Sequence, residues 1–291
     1  MTGVRIHAPA KINLGLAILG KRRDGYHEID TIMAMIDLFD TITVHQVDAP
    51  GISVSGMDTV PLESNLITKA IRGWCERAGL PVAHRVDVVK SIPFPAGLGG
   101  GSSNAAAIIH ALNALHPVAV ALDAQYKLAA SLGADCPFFL NSACARATGI
   151  GTELQHLPAP GGWVVIIVPP ANLQAKTAAL YGALRPSDYG TVAQVDRIES
   201  ALTALDSISL PNSFTRAALE VFPALTVATN ALTSVAGTWS LSGAGPAVFA
   251  VTSSEAEARR WKNSLATMLP PEYAVHAARF LSDPPRPELL P

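Results

Sequence analysis

The residue types with the most specific chemistry in this chain lie at 93–103. The stretch consists of Pro93, Phe94, Pro95, Ala96, Gly97, Leu98, Gly99, Gly100, Gly101, Ser102 and Ser103. A backbone so rich in glycine can turn tightly and direct several N–H groups into one concavity. An amphipathic helix is predicted directly after it, over 104–115, with Ser102 or Ser103 as its N-cap. This arrangement predicts a site for an anion, most often phosphate. A flexible linker is the weaker interpretation, because the stretch joins a strand to a helix.

A second candidate is Asp135, in the apolar segment 132–140. The apolar neighbours predict burial, and a buried carboxylate must be paired, hydrogen-bonded or functional. Two interpretations stay open from the residues alone. Asp135 could cap a helix that begins near Pro137, or it could be a base that takes or orients the proton of a substrate hydroxyl.

Lys11 and Asn13 are separated by one apolar residue, so on a strand they share a face. Together they could bind a polar ligand, although a solvent-facing lysine is the simpler interpretation. The small-residue turn at 242–245 could be a ligand contact or only a tight loop. Asn65 could be a helix N-cap, and Lys90 an exposed strand end.

Two familiar motifs fail at one position each. The segment 15–21 resembles a nucleotide-binding P-loop, but Arg22 replaces the serine or threonine that magnesium needs. The pair His27-Glu28 begins a zinc-protease pattern, but Thr31 replaces its last histidine. Neither motif predicts a site.

Composition excludes several functions. The chain has 291 residues and a net charge of −2, with no broad basic patch, so neither nucleic acid nor a membrane is an expected partner. Cys75, Cys136 and Cys144 show no paired spacing, which predicts reduced, mostly buried thiols in a cytoplasmic protein. No signal peptide is expected, because a strand is predicted at 4–7.

Strands and helices mix irregularly along the chain, which predicts an α+β fold in two lobes. We expect domains at 1–157 and 158–284, followed by a loosely held tail at 285–291. Strands are predicted at 12–19, 41–47, 52–54, 86–90, 163–168 and 247–251. Helices are predicted at 65–77, 104–115, from Asp123 to Gly133, and at 176–184, 192–205, 213–221 and 255–268.

Together these elements resemble the GHMP kinase superfamily, which includes galactokinase and the homoserine, mevalonate and phosphomevalonate kinases. Its three signatures stand in order at 9–14, 93–103 and 241–246 and span nearly the whole chain. The Asp-Gly-Tyr-His element at 24–27 is similar to that of the members that phosphorylate a cytidine diphosphate-linked methylerythritol. It disfavours a homoserine kinase or a diphosphomevalonate decarboxylase. A nucleotide sensor without turnover is a rival from another class.

The resemblance implies a ribosomal protein S5 domain 2-like N-terminal lobe and a ferredoxin-like C-terminal lobe, with the active site between them. It implies ATP and Mg²⁺ as cofactors and a small-molecule substrate whose 2-hydroxyl is phosphorylated in the non-mevalonate isoprenoid route. We expect a monomer or a weak homodimer. The implied catalytic residues are Asp135, as base, and Lys11. ATP is expected at 93–103, Asn65 and Lys90, with Ser103 as the metal contact. Substrate contacts are expected at Asn13, Tyr26, His27, Thr177, Tyr181 and Gly243.

Three positions depart from the family pattern. Pro95 replaces the usual glycine or alanine and stiffens the start of the loop, Lys176 replaces a serine, and Ser213 follows Asn212 in place of Asp or Asn. None of them is the predicted base, but two lie in the second lobe, where substrate contacts are expected.

Overall fold

The computed structural model describes residues 3–57, 60–171 and 176–291, apart from the side chains of Lys176 and Thr177. Within those ranges it has an α+β fold built on two sheets, as predicted. The first sheet contains β1 (Gly3–Lys21), β2 (His27–Gln46), β3 (Gly51–Ser55), β4 (Ala83–Val89), β5 (Cys144–Gly149), β6 (Glu153–His156) and β11 (Glu288–Leu290). The second contains β7 (Trp163–Val168), β8 (Ser240–Leu241), β9 (Val248–Thr252) and β10 (Ala274–Arg279).

The first sheet is organised around one long antiparallel hairpin. Strands β1 and β2 pair along most of their length, and the sheet runs in the order β11-β1-β2-β4-β3, with β5 and β6 branching from β2. The second sheet has the order β10-β7-β9-β8. The proposed boundary between residues 157 and 158 falls in the segment between β6 and β7. The prediction of a loosely held tail is wrong, because β11 pairs with β1 through Leu290 and Gly3.

Helices cover both sheets. They are α1 (Leu66–Ala78), α2 (Gly100–Leu115), α3 (Leu122–Leu132), α4 (Phe138–Asn141), α5 (Lys176–Ala183), α6 (Val192–Ser200), α7 (Thr215–Val221), α8 (Ala224–Ala236) and α9 (Glu255–Met268). Two short 3₁₀ turns lie at Pro186–Asp188 and Leu205–Ser207. None of the helices in the described ranges is long and apolar enough to cross a bilayer.

Several local predictions needed correction. Gly133 ends α3 as predicted. The predicted N-cap Asp123 is wrong, because Ala121 caps α3 and Asp123 lies in the first turn of the helix. The two strands expected near the N-terminus are one continuous strand, β1. Helix α8 and strands β5, β6 and β10 had no clear sequence signal.

The two sheets are joined by a buried apolar layer. Alternate residues of β1, including Ile12 and Leu14, pack against Ile166 and Phe249 of the second sheet. Because side chains alternate across a strand, the intervening Lys11 and Asn13 face away from this layer. The burial of Ile12 and Leu14 therefore directs Lys11 and Asn13 toward the cavity described below.

Candidate active site

The glycine-rich loop enters α2 through a left-handed residue. Gly99, with φ of 73°, is the N-cap of α2, and Gly97 has φ of 83°. Both angles lie in the region that favours glycine. The predicted serine N-cap is wrong, because Ser102 and Ser103 lie inside the first turn of the helix. The backbone N–H of Ser103 donates to the carbonyl of Gly99 at 2.9 Å.

Three consecutive carbonyls of this loop are bonded to the rest of the protein. The carbonyl of Ala96 accepts from the N–H of Ala247 at 3.0 Å, and that of Leu98 accepts from the N–H of Lys11 at 2.9 Å. The carbonyl of Gly97 accepts from the hydroxyl of Ser242 at 3.1 Å. Oxygens engaged in this way do not oppose an anion, so the loop and the helix N-terminus keep a donor character.

A cavity of about 300 Å³ lies on one side of the loop. Asn65 and Lys90 line it, as does the exposed ring of Phe94. The side-chain oxygen of Asn65 accepts from the N–H of Ile67 at 2.9 Å, so this residue is both the N-cap of α1 and part of the cavity wall. Lys90 is ion-paired with Asp40. The predicted nucleotide residues outside the loop therefore meet at one cavity.

A second cavity, of about 370 Å³, lies on the other side of the loop and contains the predicted catalytic pair. The Lys11 Nζ is 3.4 Å from Asp135 Oδ2 and donates to Asn13 Oδ1 at 2.5 Å. Gly243 borders the same space, since a Cβ built on it would lie 3.4 Å from Lys11 Nζ. The shared face of Lys11 and Asn13 is thus a cavity wall and not a solvent-facing surface.

Asp135 is more accessible than its apolar neighbours suggested. Its side chain is 39% exposed, whereas that of Lys11 is 4% exposed. The prediction of a buried carboxylate is wrong. The capping interpretation also fails, because the helix that follows, α4, has no side-chain cap at its N-terminus. Asp135 presents a carboxylate to the cavity beside a buried ammonium group.

A third cavity, of about 580 Å³, continues from the second and is lined by aromatic residues. The rings of His27 and Tyr181 stack at a centroid distance of 4.7 Å, and Tyr26 is 62% exposed nearby. Burial, with the charge of Lys21, lowers the pKa of His27, which favours the neutral imidazole. The side chain of Thr177 lies outside the described residues.

Three residues that contact this site had no sequence-based role. Thr31 bonds to Asn13, Asp40 holds Lys90, and Phe214 packs edge-on against Tyr181 with centroids 5.0 Å apart. Each reaches the site from a distant part of the chain. Only the alternation along β2 carried a signal for Thr31, and it does not select that residue among the others on the strand.

The predicted magnesium contact, Ser103, provides one hydroxyl oxygen as a donor atom. Among the described residues, no group of three or more histidine, cysteine, aspartate or glutamate side chains could hold a metal ion. The hydroxyl oxygen of Ser103 is buried and has no hydrogen-bond partner within the described part of the chain. One free hydroxyl in the first turn of α2 fits an ion bound mainly by phosphate oxygens and water.

Family models match both halves of the chain. The model described as the GHMP kinases N terminal domain matches residues 65–143, and that described as GHMP kinases C terminal matches residues 192–270. Two similar curated proteins are named 4-diphosphocytidyl-2-C-methyl-D-erythritol kinase. The protein of Chlorobium luteolum is 37% identical over 266 residues, covering 89% of this chain and 92% of its own length. The protein of Thermus thermophilus is 38% identical over 259 residues, covering 89% and 91%.

Solved structures agree with these matches. A crystal structure of 4-(cytidine 5'-diphospho)-2C-methyl-D-erythritol kinase superposes with a TM-score of 0.81 at 34% identity, covering 94% of this chain and 99% of that one. A homoserine kinase from Cytophaga hutchinsonii superposes with a TM-score of 0.77 at 17% identity, covering 99% and 97%, which shows a shared fold alone.

Proposed function

Because the chain belongs to the 4-diphosphocytidyl-2-C-methyl-D-erythritol kinase family of GHMP kinases, we propose that it phosphorylates the 2-hydroxyl of that compound with ATP. The products are the 2-phosphate and ADP, and the reaction belongs to the non-mevalonate route to isoprenoid precursors. The predicted family and its α+β fold are confirmed by the matches to both domains and by the structural superposition. The chain is therefore a phosphotransferase with an alcohol as acceptor.

The observation that carries the mechanism is the position of the Lys11–Asp135 pair. It lies in the cavity between the glycine-rich loop and the His27–Tyr181 stack. A phosphoryl donor on the loop and a cytidine on the stack would place the acceptor alcohol beside this pair. Phosphoryl transfer depends mainly on such positioning and on stabilisation of charge.

In the proposed reaction, an oxygen of Asp135 accepts the proton of the attacking 2-hydroxyl. The ammonium of Lys11 stabilises the oxygen as it attacks the γ-phosphorus, and the bond from that phosphorus to the β,γ-bridging oxygen breaks. Loop amides and the N-terminus of α2 hold the β- and γ-phosphates. Ser103 is the residue that would hold Mg²⁺, which when bound neutralises charge on the phosphate oxygens.

Nucleotide and cytidine would bind on opposite sides of this centre. We assign the adenosine to the cavity with Asn65, Lys90 and Phe94, and the cytosine to that with Tyr26, His27 and Tyr181. The neutral form of His27 offers one donor and one acceptor to the polar edge of the base. We further propose a cytoplasmic monomer or weak homodimer, a location that its three free, buried cysteines support.

ADP release with Mg-ATP would test the activity. The acceptors to compare are 4-diphosphocytidyl-2-C-methyl-D-erythritol, homoserine, mevalonate and diphosphomevalonate. We expect turnover on the cytidine compound alone. Turnover on another acceptor would leave the fold and the loop in place but would remove the proposed cytosine site. ATP binding without turnover on any acceptor would instead support a nucleotide sensor.

A further inference from the structure

The hydroxyl of Thr31 ends a chain of hydrogen bonds that reaches the proposed catalytic lysine. Lys11 Nζ donates to Asn13 Oδ1 at 2.5 Å, and Asn13 Nδ2 donates to Thr31 Oγ1 at 2.9 Å. Thr31 Oγ1 in turn donates to the carbonyl of Gly15 at 2.5 Å. Lys11, Asn13 and Thr31 are all 4% exposed or less, so water does not compete freely for these bonds.

The donors and acceptors in this series of hydrogen bonds permit only one orientation of the Asn13 amide and the Thr31 hydroxyl. An ammonium group can only donate, so the amide of Asn13 must present its oxygen to Lys11. Its NH₂ then faces Thr31, whose oxygen has to accept. The single hydroxyl proton of Thr31 is therefore directed to the carbonyl of Gly15, which can only accept. The carbonyl and the ammonium thus fix the orientation of both side chains between them.

An irregularity in the β1–β2 hairpin brings these groups together. Asn13 pairs with Met33, but Gly15 pairs with Ile32, so Leu14 is an extra residue in β1. Such a bulge re-aims side chains and is frequent beside active sites. Here it accompanies the bond between the carbonyl of Gly15 and Thr31, on the neighbouring strand. Thr31 is also the residue that stands where a zinc-protease motif beginning at His27 would have its last histidine.

We propose that Thr31 is a positioning residue for the phosphoryl transfer. By holding the amide of Asn13, it keeps the Asn13 oxygen on Lys11 and the ammonium at its distance from Asp135. This inference rests on the proposed function of the Lys11–Asp135 pair. Thr31 itself acts on the reaction only through Asn13 and Lys11.

Removal of the hydroxyl has a specific consequence. In Thr31→Val, the Asn13 NH₂ loses its buried acceptor, so the Asn13 side chain shifts to satisfy it and its oxygen no longer holds the Lys11 ammonium in place. A small displacement of Lys11 should reduce kcat by about 10- to 100-fold, since misplacement by about 1 Å can cost 10²-fold. The KM for ATP should stay within about twofold, because Lys11, Asn13 and Thr31 do not line the cavity assigned to adenosine. Thr31→Ser keeps the hydroxyl and should retain wild-type turnover.

The experiment measures kcat and the KM for ATP for Thr31→Val, Thr31→Ala and Thr31→Ser, each also in an Asn13→Ala background. The control is Thr229→Val, which changes a buried threonine of α8 in the second lobe and should lose no activity. Thr31→Ala provides the same test if the valine variant does not fold. The side-chain amide resonances of Asn13 give a readout that needs no turnover. Their exchange with solvent should be slow in the wild type and in Thr31→Ser, and fast in Thr31→Val.

A loss of kcat in Thr31→Val that is rescued by serine and absent in the Asn13→Ala background supports the proposal. Wild-type kcat in Thr31→Val, or the same loss with and without Asn13, overturns it. If the wild-type protein shows no turnover on any acceptor, the proposed function fails. Exchange of the Asn13 amide then tests the hydrogen bond from Asn13 to Thr31 by itself, because unchanged exchange in Thr31→Val would contradict that bond.

Discussion

The imidazole of His27 stacks on the phenol ring of Tyr181, with ring centroids 4.7 Å apart and an angle of 29° between the planes. His27 begins β2 in the first lobe, and Tyr181 lies in α5 after the first strand of the second sheet. The stack therefore connects the two halves of the chain at the cavity assigned to cytosine. It also offers flat aromatic surface, on which a nucleobase can stack at little conformational cost.

We expect Tyr181→Ala to weaken binding of the cytidine substrate selectively. Stacking of a base on an aromatic ring contributes about 1–3 kcal/mol, so its KM should rise about 5- to 150-fold. The KM for ATP should change little, because the nucleotide cavity lies across the loop. Steady-state kinetics with each substrate varied in turn measure both values. Tyr181→Phe, which keeps the ring, is the matched control, and equal increases in the two KM values would refute the assignment.

Asp135→Asn should abolish most turnover without loss of ATP binding. The amide keeps the shape of the carboxylate but cannot accept the hydroxyl proton, and general-base catalysis contributes about 10²- to 10⁴-fold. Single-turnover phosphorylation and nucleotide titration separate the two effects. The exposed Asp123, which pairs with Lys127 on α3, gives a matched Asp123→Asn control that should be fully active. A kcat near that of the wild type in Asp135→Asn would remove this residue from the role of base.

Gly243→Ala should impair the reaction by occupying the catalytic cavity. Gly243 has φ of 56°, and an added Cβ would lie 3.2 Å from Asn13 Oδ1 and 3.4 Å from Lys11 Nζ. We expect kcat to fall by about tenfold or more, since displacement of a reacting group by a fraction of an ångström is costly. Gly243 does not line the cavity assigned to adenosine, so ATP binding should persist.

Gly237→Ala is the control for the backbone strain in that variant. Gly237 is the left-handed C-cap of α8, with φ of 74°, and an added Cβ there meets nothing within 4 Å. Both substitutions should destabilise the fold by about 1–2 kcal/mol, because L-residues disfavour this region. Only Gly243→Ala should lose activity. Equal loss in both variants would trace the effect to stability, which thermal unfolding measures.

A histidine pair, of which His84 is buried and His116 half-buried, should make the fold sensitive to acid. His84 and His116 lie with their Nε2 atoms 2.9 Å apart, and burial together with the charge of His116 lowers the pKa of His84 from 6.5 to about 4. Between these values the unfolded chain binds a proton that the folded chain does not. The contribution of His84 to the free energy of unfolding should therefore be complete above pH 6.5 and fall by about 3 kcal/mol as the pH drops to 4.

Denaturant unfolding between pH 4 and 7 measures this slope. His84→Gln should reduce it, because one of the groups that resist protonation in the fold is gone. His156→Gln, which changes an exposed histidine, should leave the slope as in the wild type. A slope unchanged in His84→Gln would show that other groups control the response to acid.

The sequence predicted those features that depend on local pattern. The alternation around Ile12 placed Lys11 and Asn13 on one face, because the apolar residue between them is buried on the opposite face of the strand. The glycines of the loop predicted a tight turn before α2. Local pattern failed where two elements compete for one residue. Ser102 and Ser103 are good caps by type, yet Gly99 takes the left-handed position and the helix begins before them.

Burial was the property that local pattern predicted least well. Asp135 has apolar neighbours on both sides, but its own side chain opens into a cavity that other segments form. The tail at 285–291 is rich in proline, yet its residues Glu288–Leu290 form β11, which pairs with the edge of β1. Exposure depends on what packs against a residue, and that information lies elsewhere in the chain.

By itself the sequence determined the chemistry available to this protein, because residue types and spacings such as the loop at 93–103 and the Lys11–Asn13 pair are properties of neighbouring positions. Only the tertiary structure decided which of those groups meet. It brought Asp135 to Lys11, Thr31 to Asn13 and Tyr181 to His27. The first two contacts follow from how β1, β2 and the segment between α3 and α4 pack within the first lobe. The third joins the two lobes, which meet at their shared apolar layer.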